Sequence, residues 1–181
     1  MTVIPPSEFP RPVRAEQVPN PGLELDIVAD PTERAALAHR FGIVAVESLT
    51  AHLRLKPFRS GEVIRLTGKL SADVVQTCVV TLEAVPGHVE EEIDMTFGHA
   101  PSAEDDEADL ELSFEDEDPP DPIVGGIIDV GEAVAEHLAL ALDPFPRKPG
   151  ASVPEAPEPA PDEDAKPNPF AVLARLRQKK E

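Results

Sequence analysis

Alternation of apolar and polar residues is the dominant pattern of the first hundred residues. The segments 23–29 (LELDIVA) and 43–57 (IVAVESLTAHLRLKP) place aliphatic side chains at every second position over much of their length. A period of two residues is that of a strand with one buried and one exposed face. A further short strand is expected at 12–18. These segments predict a sheet with one polar face.

The longest alternation runs from Glu62 to Glu83, with apolar residues mostly at even-numbered positions. Because this run exceeds the usual strand length, we expect two strands, or one strand bent near Gly68 or at 71–73. The same parity places Cys78 and Leu82 on the buried face.

The sequence after this run predicts a turn followed by a strand. AVPGHV (84–89) contains Pro and Gly and predicts the turn. Alternation then resumes from Val89 to Phe97, which predicts another strand with glutamates on its polar side.

Two segments carry the signals of helix ends. In DPTERAALAHRFG (30–42), Asp30 is a favourable N-cap, proline follows at the first helical position, and Glu33 completes a capping box. In 130–143, an apolar stripe at helical spacing follows Asp129, again a favourable N-cap. Two short helices are therefore predicted.

These elements predict an α+β fold, an antiparallel β-sheet meander with two short helices. Strands of a parallel sheet would read as continuous apolar runs, whereas these alternate. The pattern leaves open whether the meander stays an open sheet or closes into a small barrel. The predicted organisation is a single α+β domain at 1–146 with an acidic mobile loop at about 98–121, a disordered Pro-rich linker at 147–167, and a short basic amphipathic C-terminal helix at 168–181.

Acidic residues are concentrated in one half of the chain. The formal net charge is −19, and the interval between Lys69 and Arg147 has no Lys or Arg but holds 21 of the 35 Asp and Glu residues. An acidic surface repels nucleic-acid phosphates and attracts basic proteins, although solubility alone explains the charge equally well. With one cysteine and no apolar run of about 18 residues, we expect a soluble cytoplasmic protein without a disulfide framework.

The sequence shows no constellation of catalytic or metal-binding residues. The five histidines are scattered, and none lies at metal-ligand spacing from an acid. Nucleophile elbow, P-loop and dinucleotide-binding glycine motifs do not occur. Cys78 has the parity of the buried positions, where a thiol acts as a small hydrophobe with a raised pKa. We therefore predict that the protein is not an enzyme and uses no catalytic residue, metal site or cofactor.

Three segments, taken in order, resemble the YceD family of large ribosomal RNA subunit accumulation proteins. The first is 61–97, where a strand leads into a cysteine, a Leu–acid pair and a strand that ends in phenylalanine. The second is PIVGGIIDVGEAVAEHLALALDPFPR (122–147), and the third is NPFAVLARLR (168–177).

The markers of this resemblance are Cys78, Leu82 and Glu83, for which we expect a structural role. Many members of the family carry a Cys-x-x-Cys motif with an Arg before the second Cys. Here Val80 and Thr81 occupy those two places, so this chain cannot use a cysteine pair at that motif.

The resemblance implies a non-enzymatic ribosome-biogenesis factor that supports synthesis, processing or stability of 23S (large-subunit) ribosomal RNA. Its partner would be ribosomal RNA or a large-subunit precursor. The charge distribution suggests an alternative, an acidic protein-binding adaptor that holds a basic ribosomal protein or assembly factor, and neither reading involves a membrane. The candidate RNA or partner contacts lie on the basic strand faces and the C-terminal helix, and are Arg54, Lys56, Arg59, Arg65, Lys69, Phe170, Leu173, Leu176, Arg175, Arg177, Lys179 and Lys180.

Overall fold

Seven strands, two α-helices and one 3-10 turn make up the described part of the computed structural model, which comprises residues 7–58, 63–98 and 119–152. In chain order they are β1 (Pro12–Arg14), the 3-10 turn (Ala15–Gln17), β2 (Leu23–Val28), α1 (Pro31–Phe41), β3 (Ala45–Phe58), β4 (Val63–Thr77), β5 (Ala84–Gly98), β6 (Asp121–Pro122), β7 (Ile127–Asp129) and α2 (Val130–Ala141). The predicted α+β class with a mostly antiparallel sheet and two helices is confirmed.

The boundaries predicted for the domain, the linker and the tail stay predictions. The chain divides into two compact units, Met1–Ala151 and Ser152–Glu181, and all described residues except Ser152 belong to the first. The predicted C-terminal helix lies outside the described residues, as do all but the ends of the acidic loop and of the linker.

The main sheet is open and has the strand order β2-β3-β4-β5-β6. Its neighbours are antiparallel except for β5 and β6, which pair in parallel at Phe97 and Gly98. A separate two-stranded sheet is formed by β1 and β7. Within the described residues β2 pairs with β3 alone, so the sheet does not close into the small barrel that the sequence left open. Instead α1 packs against β3, and α2 packs against β5 and β4, so the helices bury the apolar side of the sheet.

The core lies between this apolar side and the helices. All buried side chains of the described residues are apolar, as the strand alternation predicts. The largest fully buried side chains are Phe9, Leu37, Leu49, Leu53, Leu55, Leu66, Leu70, Val74, Ile93, Ile128, Val130 and Leu138.

The long alternating run begins as one continuous strand, β4, which pairs along its whole length with β3 and with β5. Gly68 does not break this strand. It permits a close approach of β3, because a Cβ at this position would lie 2.3 Å from the carbonyl oxygen of His52. The irregularity in this region lies in β3 instead, where the register shifts between Val46 and Ser48.

The turn between β4 and β5 is formed by the residues after Thr77, so the prediction of a turn at 84–89 is wrong. The N–H of Cys78 donates to the carbonyl of Glu83 at 2.8 Å, and pairing with β4 resumes at Ala84. Pro86 is part of β5, since this strand has no second neighbour here among the described residues and an edge strand tolerates proline.

Leu82 does not lie on the buried face that its parity predicts. It has a left-handed backbone with φ of 60° in the turn, and it is 77% exposed. A period of two residues holds only while the chain stays extended, so the turn ends the predicted parity after Cys78.

Cys78 is fully buried, as predicted, but the pKa of its thiol is lowered rather than raised. Hydrogen bonding by the Thr81 side chain is the main cause, and the N–H groups of Thr81 and Lys148 also donate to Sγ, each at 3.4 Å. These donors favour the thiolate, outweigh the opposing effect of burial and lower the pKa to about 6. Sequence reasoning missed them because the turn was placed elsewhere and Lys148 lies 70 residues away.

Both helix N-termini are capped as predicted. The carboxylate of Asp30 accepts hydrogen bonds from the N–H groups of Thr32 and Glu33, and the Glu33 carboxylate accepts one from the N–H of Asp30. The guanidinium of Arg11 donates to both Glu33 oxygens at 2.7 and 2.9 Å, which connects α1 to the N-terminal segment. At α2, the Asp129 carboxylate accepts hydrogen bonds from two N–H groups of the first turn and from the N–H of Arg11.

Replacing Gly131 by Ala should destabilise the protein, although this exchange normally stabilises a helix interior by about 1 kcal/mol. A Cβ at Gly131 would lie 1.8 Å from the carbonyl oxygen of Phe9, so the backbone must move. We expect the free energy of unfolding in urea to fall by about 1–3 kcal/mol. Ala139→Gly, at an exposed position of the same helix, is the control and should cost about 1 kcal/mol. A Gly131→Ala chain as stable as the wild type would contradict this packing.

The lowered pKa of Cys78 predicts a pH dependence of stability. A thiol whose pKa is about 6 in the folded protein and near the ordinary value of 9.0 in the unfolded chain binds more protons when unfolded. Its stabilisation is therefore fully present above the unfolded pKa and is lost as the pH falls through 6. In urea titrations at pH 6, 7, 8 and 9, the free energy of unfolding of the wild type should rise relative to that of Cys78→Ala. Parallel pH profiles for the two proteins would contradict the prediction.

Candidate functional site

The side of the main sheet opposite the core carries several of the cations that the sequence singled out. We call it the open sheet face, and define it as the outward side chains of β2, β3, β4 and β5. On β3 the even positions from Thr50 to Lys56 are exposed, and the odd positions between them are buried. The register sets each outward position of β3 against an outward position of β4. Antiparallel pairing therefore collects polar residues of four strands on one surface.

Charge on this face is ordered by strand. The central strands β3 and β4 supply the Lys and Arg side chains, whereas the outer strands β2 and β5 supply mostly acids. One row across the sheet reads Asp26, His52, Lys69 and Glu92, and the next reads Glu24, Arg54, Thr67 and Asp94. The cations of these two rows are thus flanked by carboxylates of β2 and β5.

Two ion pairs connect β4 to β5. The Nζ atom of Lys69 lies 2.7 Å from a carboxylate oxygen of Glu92, and Nε of Arg65 donates to Asp94 at 2.7 Å. Hydrogen bonding within the first pair raises the pKa of Lys69 and lowers that of Glu92, and Arg65 likewise lowers the pKa of Asp94. The Lys69 and Glu92 side chains are 75% and 78% exposed, so that pair adds little to stability.

The other two cations of the face differ in their surroundings. The guanidinium of Arg54 lies 3.7 Å from Glu24 of β2 and donates to the carbonyl of Pro21. Lys56 lies opposite Arg65 in the register, is exposed, and has no carboxylate within ion-pair distance among the described residues. Within the described part of the face, Lys56 is therefore the cation that no carboxylate neutralises.

Two histidines on the face are paired with aspartates. Nδ1 of His52 lies 2.6 Å from Asp26, and Nδ1 of His88 lies 2.8 Å from Asp73. Hydrogen bonding to the aspartate is the main cause of a raised pKa in each histidine. Hydrogen bonding from Ser48, and then from His88, lowers the pKa of Asp73. Both histidines therefore hold a proton to a higher pH than a free histidine does.

The structure brings together four of the predicted contact residues and leaves the others undescribed. Arg54, Lys56, Arg65 and Lys69 share the open sheet face, as their parity predicts. The remaining candidates lie outside the described residues, and are Arg59, Phe170, Leu173, Arg175, Leu176, Arg177, Lys179 and Lys180.

The three markers of the family resemblance lie at the turn between β4 and β5. Cys78 is buried beneath it, and the Glu83 carboxylate lies 2.9 Å from Nζ of Lys148, which lowers the Glu83 pKa. The N–H of Val79 donates to the carbonyl of Pro146 at 2.9 Å. These contacts fasten the turn to the segment after α2. A structural role of Cys78 and Glu83 stays a prediction. Leu82 instead projects into solvent.

The described residues place no three His, Cys, Asp or Glu side chains where they could hold a metal ion. No helix in the described ranges is long and apolar enough to cross a membrane.

The ordering of acids around the basic strands is a feature that sequence reasoning missed. The sequence did contain a signal for this ordering. An antiparallel meander places β2 and β5 on either side of β3 and β4, and the parity of each strand tells which of its residues share a face. The missing information was the register, which decides that Glu24 faces Arg54 and that Glu92 faces Lys69.

Comparison with known proteins identifies one family. The match is to a family model described as the large ribosomal RNA subunit accumulation protein YceD, and it covers residues 66–177. The matched region begins in β4 and includes β5, the turn with Cys78, and α2. No curated protein and no solved structure shows significant similarity to the chain. Since the match spans more than half of the 181 residues, the chain belongs to the YceD family of large ribosomal RNA subunit accumulation proteins.

Proposed function

We propose that the protein is a non-enzymatic factor of ribosome biogenesis that supports the synthesis, processing or stability of 23S ribosomal RNA. The observation that carries this proposal is the family match over residues 66–177, since the family is named for accumulation of the large ribosomal RNA subunit. The proposed setting is the cytoplasm, where large-subunit precursors would be the partner.

The charges of the open sheet face argue against this face as the main RNA contact. The cations Arg54, Arg65 and Lys69 already have carboxylate neighbours on β2 and β5. A phosphate that approached them would compete with those carboxylates and be repelled by them. For direct contact with RNA we therefore propose the basic C-terminal segment, which includes Arg175, Arg177, Lys179 and Lys180.

A second candidate function, an acidic adaptor that holds a basic protein of the large subunit, is favoured by one specific observation. On β5, Glu90 and Glu92 are 79% and 78% exposed, Glu91 is also exposed, and the strand contains no Lys or Arg. Such a strand attracts basic proteins and repels nucleic acid. An adaptor would support accumulation of the RNA indirectly, by delivering or holding a protein that the RNA needs.

Depletion of the protein in its native organism tests the first proposal. We expect the ratio of 23S to 16S ribosomal RNA to fall and large-subunit precursors to change in amount, because the factor acts on one subunit. Northern blotting and sucrose gradients give the measurement, and re-expression of the wild-type chain is the control. An unchanged ratio in depleted cells, with growth rate matched, would argue against the proposal.

Two fourfold substitutions of equal charge separate the two possible RNA contacts. One set is Arg54→Gln, Lys56→Gln, Arg65→Gln and Lys69→Gln, and the other is Arg175→Gln, Arg177→Gln, Lys179→Gln and Lys180→Gln. Binding to a 23S precursor transcript is measured at several salt concentrations. We expect the tail set to weaken binding and to reduce the salt slope by about 0.7–0.9 per lost phosphate contact, whereas the sheet set leaves the slope nearly unchanged. A larger loss from the sheet set would place the contact on the sheet.

A further inference from the structure

The edge of β5 that faces away from β4 is open along most of its length in the described part of the chain. The strand pairs with β4 from Ala84 to Gly98, but with β6 only at Phe97 and Gly98. From Ala84 to Thr96, alternate N–H and C=O groups therefore point away from the sheet. Such an edge is a template for another strand, and proteins normally protect it.

Acidic side chains surround this edge on both sides of the sheet. Glu90, Glu92 and Asp94 lie on the open sheet face, whereas Glu91 has the parity of the buried residue Ile93 and is nevertheless exposed. An inward-pointing charge on an edge strand is a known protection against pairing of sheet edges. A chain that pairs with β5 therefore meets carboxylates whichever way its side chains point.

The charge of the edge decides between possible occupants. A second copy of the chain would bring glutamates of one β5 against those of the other, and like charges on paired strands are destabilising. RNA would bring phosphates against the same carboxylates. A segment rich in Lys and Arg would gain opposite-charge pairs and the hydrogen bonds of a strand.

The opposite edge of the sheet, at β2, is a weaker candidate. That strand is shorter, spanning Leu23–Val28, and its acids, Glu24 and Asp26, lie on one face only. Both also have a partner on β3, since Glu24 lies near Arg54 and Asp26 contacts His52. On β5, Glu92 likewise pairs with Lys69, and Glu90 lies 3.7 Å from His88. Glu91, however, has no cation within ion-pair distance among the described residues.

We propose that the edge of β5 from Ala84 to Thr96 binds an extended, Lys- and Arg-rich segment of a protein partner as an added β-strand. Main-chain hydrogen bonds to β5 supply the geometry, and the carboxylates of Glu90, Glu91 and Glu92 select basic side chains on both faces of the added strand. This inference rests on the adaptor function proposed above and specifies where and in what conformation the basic partner binds.

Two matched variants of the full-length chain test the location. Glu90→Lys with Glu92→Lys changes the β5 edge, and Glu24→Lys with Asp26→Lys changes the β2 edge by the same charge at residues of similar exposure. The probe is a synthetic ten-residue peptide of repeated Lys-Lys-Thr-Thr, which presents Lys on both faces of a strand. It is titrated at 150 mM salt, where long-range attraction is screened beyond about 8 Å. We expect the β5 variant to weaken binding by about tenfold or more and the β2 variant to leave it within about twofold. Equal losses in the two variants would show attraction to overall charge and would overturn the proposal.

Two modified peptides test strand addition with the wild-type protein, so this result does not depend on how well a variant folds. One peptide carries N-methyl groups on alternate backbone nitrogens and the other on every backbone nitrogen, with charge unchanged. An added strand pairs through alternate N–H groups only, so the first peptide should retain binding through its unmethylated edge and the second should lose it. Equal binding by both, or equal loss, would overturn the proposal.

The results of these binding tests can be distinguished from the result of the depletion experiment that tests the proposed function. If the peptide results hold and cells that carry Glu90→Lys with Glu92→Lys also lose 23S ribosomal RNA, the edge serves that function. Normal 23S levels in these cells would overturn a role of the edge in accumulation while leaving the depletion result intact. Dimers of the free chain in sedimentation that disappear in the β5 variant would identify a second copy as occupant and overturn the basic partner.

Discussion

The pairing of β4 with β3 on one side and β5 on the other is the constraint on which the rest of the structure depends. Because both registers run the length of β4, each of its side chains is assigned to one face. Leu70 is thereby buried, while its neighbour Lys69 is placed between His52 and Glu92. A slip of one residue would expose the apolar row and bury the ion pairs, so the core and the charged face are fixed by the same hydrogen bonds.

Local signals explain why much of the fold could be predicted from the sequence. The caps at Asp30 and Asp129 use donors within three residues, so their identity and spacing suffice. Strand parity is equally local, and it correctly buries Leu66, Leu70 and Cys78. What failed was the choice between competing local signals. The Pro–Gly pair at 86–87 resembles a turn, but continued pairing with β4 keeps it in β5 and moves the turn to the residues around Leu82.

The candidate site was predictable in composition but not in arrangement. Parity groups Arg54 with Lys56 and Arg65 with Lys69, and the structure places all four on one face. The acids that neighbour them come from elsewhere in the chain, with Glu24 thirty residues before Arg54 and Asp94 twenty-nine after Arg65. Only the register shows that most of these bases, which would suit RNA if they had no acidic neighbours, are paired with carboxylates.

The consequence is that the acidic strand carries charge that is free to act outward, whereas three of the four bases on β3 and β4 already have carboxylate neighbours. Pairing uses Glu92 and Asp94 to balance Lys69 and Arg65, but it leaves Glu91 without such a neighbour among the described residues. An uncompensated glutamate on the core side of an edge strand lowers the tendency of the sheet to pair with itself, and the same charge favours a partner of opposite sign. Protection of this edge against self-pairing and its selectivity for a basic partner therefore have one physical cause, the negative charge. A neutral edge would lose both together, since nothing else in the described part of β5 distinguishes a basic strand from any other.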